Sequence, residues 1–400
     1  MRVQSIDLLR GADVLLMLFV NEVAFVHGTP GFLLHASAQT DGMTITDLVF
    51  PAFLFVVGIA LPFALEARLR RGQTRAQLWR HVLGRVAALL VMGVLMVNAE
   101  HDVRGLLPAP VWNLVWTAGA LLVWGTPEAG LGKIPRSWLR AAGAALLLLA
   151  VLAYRSPGAS GWIQLRPYWW GILGLIGWAY LGAASLYLWV GERPAALTGL
   201  VALLYCVALA QQAGGLGGWA VGPFFGPLLG THTAVVVAGT LLGALLRRNL
   251  GGEGPARPLL AQALGLATGF AAAGLLLHAL APLHPAFRIS KVHATAPWGL
   301  LSSALTCAAW LLLFLAVDLA GWRRWPRSLT IAGENPLLAY LLAPALLSVL
   351  ALAAPLTAGT NLYAELGEST AAGIARSVVF AWVVVRLSGL LRWCGLRVQL

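Results

Sequence analysis

Charge is scarce in this chain. Only 10% of its 400 residues are Asp, Glu, Lys or Arg, against about 25% in an ordinary soluble domain. That deficit excludes a soluble enzyme and a disordered chain alike. Cysteine is scarcer still. Cys206, Cys307 and Cys394 are scattered, with no CxxC pair and no even framework. A secreted disulfide scaffold is therefore excluded, and neither a disulfide nor a metal site is implied. An HExxH helix, a Ser-centred elbow and a Cys/His cluster are also missing, so zinc hydrolysis and serine acyl transfer have no signature.

What fills the chain is apolar, with 59% hydrophobic residues. Apolar runs of about 18 residues or more recur from end to end, the mark of membrane-spanning helices. Twelve spans are expected, at 11–27, 44–65, 82–98, 109–125, 138–154, 168–190, 194–212, 230–246, 259–281, 297–319, 336–354 and 372–391. Backbone groups in lipid must be satisfied within the segment, so these are helices and not strands. The expected fold is all-α, a polytopic membrane bundle of about twelve transmembrane helices, forming one integral membrane domain over 1–400. The first run contains Asn21 and Glu22 and lacks an A-x-A site, so it reads as a retained helix rather than a signal peptide. The Gly- and Pro-rich stretch 213–229 follows no strand and holds no Lys. It is a poor phosphate loop, better read as a turn or re-entrant segment.

The net charge of +12 would suggest nucleic acid in a soluble protein. Here the basic residues sit in short loops between apolar runs, where they orient the chain and contact lipid, and no nucleic acid partner is expected. With both termini cytoplasmic, only Arg104, Arg155, Arg166, Arg288, Lys291 and Arg376 of the 27 basic residues fall outside. That asymmetry is what the positive-inside rule requires. It puts loop 28–43, with His35 and Asp41, on the outer face and the arginine-dense loop 66–81 on the inner one.

Ionisable groups inside spans are functional candidates. In the first helix Arg10, Asp13, Met17 and Asn21 step along one stripe, Arg10 and Asn21 lying about 16 Å apart along the axis. The stripe lines a pathway, or Asn21 bonds a neighbouring helix. Thr44-x-x-Asp47 before an apolar run is a capping-box pattern. Pro51 then removes the helical bond to the carbonyl of Asp47, so backbone there needs another partner. His35 gains interest from its company, Asn21, Asp41 and Asp47, because an imidazole near a carboxylate can serve as a general base. Arg85 and Asn98 bracket the third span. His278, His284, Lys291 and His293 crowd one outer loop, and Asn335-Pro336 opens the eleventh span. Trp169-Trp170 reads as an interfacial belt.

These residues carry a resemblance. SIDLLRG, LFVNEVAF and LLHASAQTDGMTITDLVFPAFLFVVGIA resemble the heparan-α-glucosaminide N-acetyltransferase family, whose bacterial branch includes DUF5009 proteins. The D-x-x-R-G start, the F-V-N helix, the H-A-S loop and the T-x-x-D-L-V-F-P-x-F start occur in the family's order, followed by Arg85, Gly93 and Val97-Asn98. Beyond residue 100 the likeness thins. PYWWGILGLIGWAYL resembles the bacterial branch, ISKVHATAPW the family's I-N-K-x-x-W-T segment without its Asn and Trp-Thr, and IAGENPLLAY a late G-x-N-x-L-x-x-Y motif. Residues 105–160 look like an inserted helical hairpin on ten core spans.

The resemblance implies transfer of acetyl from cytoplasmic acetyl-CoA to the amine of a glucosamine-type sugar on the far side, in a bacterial inner membrane, and a homodimer by analogy. It implies His35 as base, Asn21 as oxyanion donor and Asp47 as the residue orienting His35, with Arg10, Arg85, Asn98 and Asn335 on the co-substrate. No metal is expected. A secondary transporter of amino sugars is the rival reading, and a non-catalytic scaffold is another.

Overall fold

The computed structural model describes residues 3–101, 105–127, 135–156, 161–216, 227–250, 257–356 and 361–398. Its helices are α1 Gln4–Val23, α2 Ile45–Arg70, α3 Arg75–Ala99, α4 Ala109–Trp124, α5 Arg136–Ala153, α6 Gly171–Val190 and α7 Pro194–Gln212. They continue with α8 His232–Leu250, α9 Arg257–His278, α10 Ala296–Leu313, α11 Arg327–Glu334, α12 Pro336–Ala353, α13 Leu362–Glu365 and α14 Thr370–Trp393. Among the described residues the fold is all-helical apart from one short antiparallel ladder, β1 Gly125–Pro127 against β2 Leu396–Val398.

The chain is an integral membrane protein. Among the described residues, ten helices are long and apolar enough to cross a bilayer. Each expected span falls on a helix, but two differ in character from those ten. Helix α1 carries Asp7, Arg10, Asp13 and Glu22, and α4 has 16 residues, about 24 Å at 1.5 Å per residue. The stretch 213–229 lies mostly outside the described residues; Pro227–Thr231 form one π-helical turn leading into α8. The hairpin expected over 105–160 contains α4 and α5, with 128–134 and 157–160 outside the described residues.

Two span boundaries shift, each for a physical reason. The first helix begins at Gln4, well before residue 11, because the Asp318 carboxylate accepts from the backbone N–H of Gln4 and of Ser5, both at 3.1 Å. Those donors would otherwise be orphaned at the helix start. The sixth begins at Gly171 rather than 168. Tyr168 and Trp170 have φ of 44° and 70°, a left-handed backbone that cannot continue into a right-handed helix. Trp169-Trp170 is therefore a turn before α6.

The contacts divide the chain into two compact units, and the division falls inside α1, α3 and α6. The first comprises Met1–Asp13, Gly31–Val86 and Leu175–Arg324. Its spine is α2 against α8, and glycine sets their separation. A Cβ at Gly58 would lie 2.0 Å from the carbonyl oxygen of Val236, and one at Gly239 2.0 Å from that of Phe55. Gly239 and Gly243 are four residues apart, the small-xxx-small spacing that lets membrane helices touch through their backbones. Helix α10 packs on α9 and on α2, which brings the start of α10 to the start of α2.

The second unit comprises Val14–Pro30, Ala87–Gly174 and Trp325–Leu400. Helices α4 and α5 pair through Gly119 and Gly143. Trp112 donates to the carbonyl of Ala150 at 2.8 Å and stacks at a tilt on Tyr154. Helix α12 packs on α4 and α14.

Candidate active site

The site grows from the capped start of α2. Thr44 and Asp47 form the reciprocal box the sequence pattern indicates: the Asp47 N–H donates to Thr44 Oγ1 at 3.3 Å, and the Thr44 N–H to Asp47 Oδ2 at 3.1 Å. The loop before it is sewn to the same turn. Thr46 Oγ1 donates to the Leu33 carbonyl at 2.7 Å, Thr44 Oγ1 to that of Leu34 at 2.8 Å, and the Ala36 N–H to Asp47 Oδ2 at 3.1 Å. His35 is therefore held from both sides in the chain.

Capping and orienting are compatible roles for Asp47. Its carboxylate is fully buried and has acceptor sites on two oxygens. Oδ2 serves the cap, and Oδ1 accepts from His35 Nδ1 at 2.8 Å. A carboxylate on Nδ1 selects the tautomer in which Nε2 carries the lone pair. The His35 side chain is 45% exposed.

The carbonyl freed by Pro51 has a partner too. Trp298, at the start of α10 and fully buried, donates its indole N–H to the Asp47 carbonyl at 3.2 Å. Replacing Trp298 with Phe leaves that carbonyl unpaired, at about 1–3 kcal/mol. Trp310 is equally buried on the same helix, but its indole N–H has no partner. Thermal unfolding in detergent should show W298F clearly less stable than W310F.

The loop before α10 contributes a third charged group. The Asp41 carboxylate accepts from the Ile289 N–H at 2.9 Å, and the Gly42 N–H donates to the Ile289 carbonyl at 2.9 Å. A tight turn follows. The Ser290 N–H donates to Thr295 Oγ1 at 3.0 Å, Gln212 holds the His293 and Ala294 carbonyls at 2.9 and 3.1 Å, and Ala294 is left-handed with φ 47°. This framework sets Lys291 Nζ 3.0 Å from His35 Nδ1, 3.2 Å from Nε2 and 3.9 Å from Asp47 Oδ1. Burial pushes the Lys291 ammonium down from 10.5 to about 8, with the Asp47 charge opposing the fall.

His35 and Asp47 are thus the sequence-indicated pair that a hydrogen bond joins. The other candidates have their own surroundings. Asn21, in the second unit, hydrogen-bonds the side chain of Tyr340 on α12, the helix-bonding arrangement weighed above. Beside it Glu22 accepts from the Tyr363 hydroxyl, and the Arg376 guanidinium stacks on that ring at 4.3 Å. Arg10 pairs with Asp7 at 3.6 Å. Arg85 lies over the Tyr180 ring at 4.4 Å, with its Nε buried and unpartnered. Asn335 sits in the break between α11 and α12, 4% exposed, with both amide atoms unpartnered. Asn98 is saturated: its amide donates to the Val94 and Arg166 carbonyls, each at 2.7 Å, and accepts from the Arg166 N–H at 3.2 Å.

Sequence reasoning missed the role of Lys291 and of Trp298. Signals existed. Lys291 stands in the outer-loop cluster and in the ISKVHATAPW segment, and Pro51 announced a carbonyl in need of a donor.

The fold and the site together define an integral membrane protein with a buried carboxylate, an accessible imidazole and an ammonium in mutual contact. Comparison with known proteins narrows this. Residues 2–115 match the family described as Domain of unknown function (DUF5009). The chain is 33% identical over 120 residues to the heparan-alpha-glucosaminide N-acetyltransferase of Homo sapiens and 32% identical over 120 residues to that of Mus musculus. Each alignment covers 30% of this chain and 17% of the relative. Both matches support the family assignment drawn from the motifs of the first hundred residues.

Proposed function

We propose that the chain is a membrane acetyltransferase that moves acetyl from cytoplasmic acetyl-CoA to the amine of an amino sugar, a glucosamine or short glucosamine oligomer, on the outer side. The observation that carries this reading is the His35–Asp47–Lys291 cluster, whose first two members lie inside residues 2–115, the stretch that matches the DUF5009 family.

The chemistry follows from the arrangement. The sugar amine nitrogen forms a bond to the thioester carbonyl carbon, and the carbon–sulfur bond breaks. His35 Nε2 takes the proton the amine loses and returns it to the departing thiolate. Asp47 stabilises the imidazolium in between. The Lys291 ammonium stands beside the imidazole ring. It also supports the negative charge developing on the thioester oxygen. Asn21 is carried as an oxyanion donor from the family resemblance alone, a role whose loss typically lowers kcat by about 10²–10³-fold.

Arg10 and Arg85 are assigned to the phosphates of the co-substrate, because guanidinium binds phosphate bidentately. Asn335 is assigned to a polar group of the same molecule. The buried unpartnered atoms of Arg85 and Asn335 suit this, since each would gain a hydrogen bond. Asn98, already saturated, is better assigned to holding the backbone at Arg166. Direct transfer is favoured over an acetyl-histidine intermediate, since Asp47 supports the base role without a covalent step.

The test is transfer of radiolabelled acetyl from acetyl-CoA to glucosamine by the purified chain. Uptake of the sugar into proteoliposomes without labelled product would instead establish a transporter. Lys291 adds a pH signature. Its cationic form predominates below about 8, so kcat should decline as pH rises through that value, and K291R should remove the decline. Stability should move oppositely. Between about 8 and 10.5 the unfolded chain holds the Lys291 proton and the folded chain does not, so this group makes the fold more stable as pH rises.

A further inference from the structure

A cavity of about 540 Å³ lies in the first unit where the start of α7, the end of α8 and the start of α9 meet. Leu241, Leu245 and Leu266 form apolar wall, while Arg248, Asn249 and Gln262 form its polar part. The hydrogen bonds there leave an amide donor uncommitted. Asn249 donates to the Leu245 carbonyl at 2.8 Å and to Gln262 Oε1 at 3.2 Å, which keeps the Gln262 NH2 for another acceptor. Arg247 is consumed by Glu192 and Glu66. Arg248, next in the chain, is exposed, and among the described residues it makes a longer-range attraction to Glu192. Among the described residues the lining contains no carboxylate.

The outer faces of the flanking helices are apolar. Leu203 on α7 is 57% exposed, and Leu264, Leu275 and Leu276 on α9 are 55, 57 and 71% exposed. In an integral membrane protein such faces meet acyl chains, so lipid borders the helices that build this cavity. An apolar trough with a guanidinium and an amide at its arginine-rich end has the form of a lipid with an anionic head. We propose that this cavity is a binding site for an anionic glycerophospholipid, its phosphate on Arg248 and Gln262 and one acyl chain along Leu241, Leu245 and Leu266. The site is independent of the catalytic assignment above.

The test uses the purified full chain, stripped of lipid in detergent. Phosphatidylglycerol or phosphatidylcholine is titrated in mixed micelles, and retained lipid is read by native mass spectrometry alongside the thermal midpoint. Phosphatidylglycerol should bind about tenfold more tightly than phosphatidylcholine, whose choline offsets the phosphate charge; tenfold is the size of one charge-assisted hydrogen bond. Because Arg248 is exposed, R248Q should fold normally, and it should bind both lipids equally. R248K should keep most of the preference, and L266W should weaken both lipids. An unchanged preference in R248Q would overturn the proposal. So would inorganic phosphate raising the midpoint as much as phosphatidylglycerol, which would make this a site for a free anion.

Discussion

Replacing His35 with alanine is expected to lower acetyl transfer by about 10²–10⁴-fold, the usual contribution of a positioned general base, while acetyl-CoA binding persists. The binding half of the expectation comes from the assignments. Arg10, Arg85 and Asn335 hold the co-substrate in this reading, and none is a hydrogen-bond partner of His35. The turnover half comes from Asp47. Its Oδ1 selects the Nε2 lone pair, so H35A removes the one proton acceptor that the cluster orients. D47N should reduce kcat as well, because an amide cannot stabilise the imidazolium as a carboxylate does. It should also lower the thermal midpoint, since Oδ2 caps α2. Isothermal titration with acetyl-CoA beside a radiolabel assay separates the two readouts. Near-normal turnover in H35A would remove the imidazole from the mechanism, and loss of co-substrate binding with it would reassign His35 to binding.

The second large effect concerns the scaffold. Changing Gly239 to leucine should prevent accumulation of folded protein, and Gly239 to alanine should destabilise it by more than about 4 kcal/mol, a range reserved for severe core disruption. A side chain at this position would meet not a yielding side chain but backbone, with the Phe55 carbonyl oxygen 2.0 Å from the new Cβ. Helix α2 would have to move away from α8. The displaced helix carries Asp47 at its capped end, so any folded remainder should also lose activity. At Gly199, on α7, an added Cβ would meet nothing within 4 Å. Its alanine variant should be neutral or stabilised by about 0.4–1 kcal/mol, because alanine suits a helix better than glycine. Equal melting of G239A and G199A in detergent would contradict the backbone contact between α2 and α8.

The helices were largely legible in the chain because the bilayer imposes a one-dimensional rule. A segment must be apolar and must satisfy its own backbone, and both conditions are local. The same is true of the cap. Thr44, Asp47 and Pro51 lie within one or two turns, so their spacing announces both the box and the freed carbonyl. Helix ends were less legible where a distant residue decides them, as Asp318 does for α1.

The sequence by itself determined a polytopic helical membrane protein, set His35 only twelve positions from Asp47, and marked a carbonyl that needed a donor. Only the tertiary structure decided who answers. Trp298 reaches that carbonyl from 251 positions away, and Lys291 reaches the His35 ring across 256. Local pattern carries no record of such pairings, because they depend on α10 packing against α2, and that packing is set by shape and close contact rather than by periodicity.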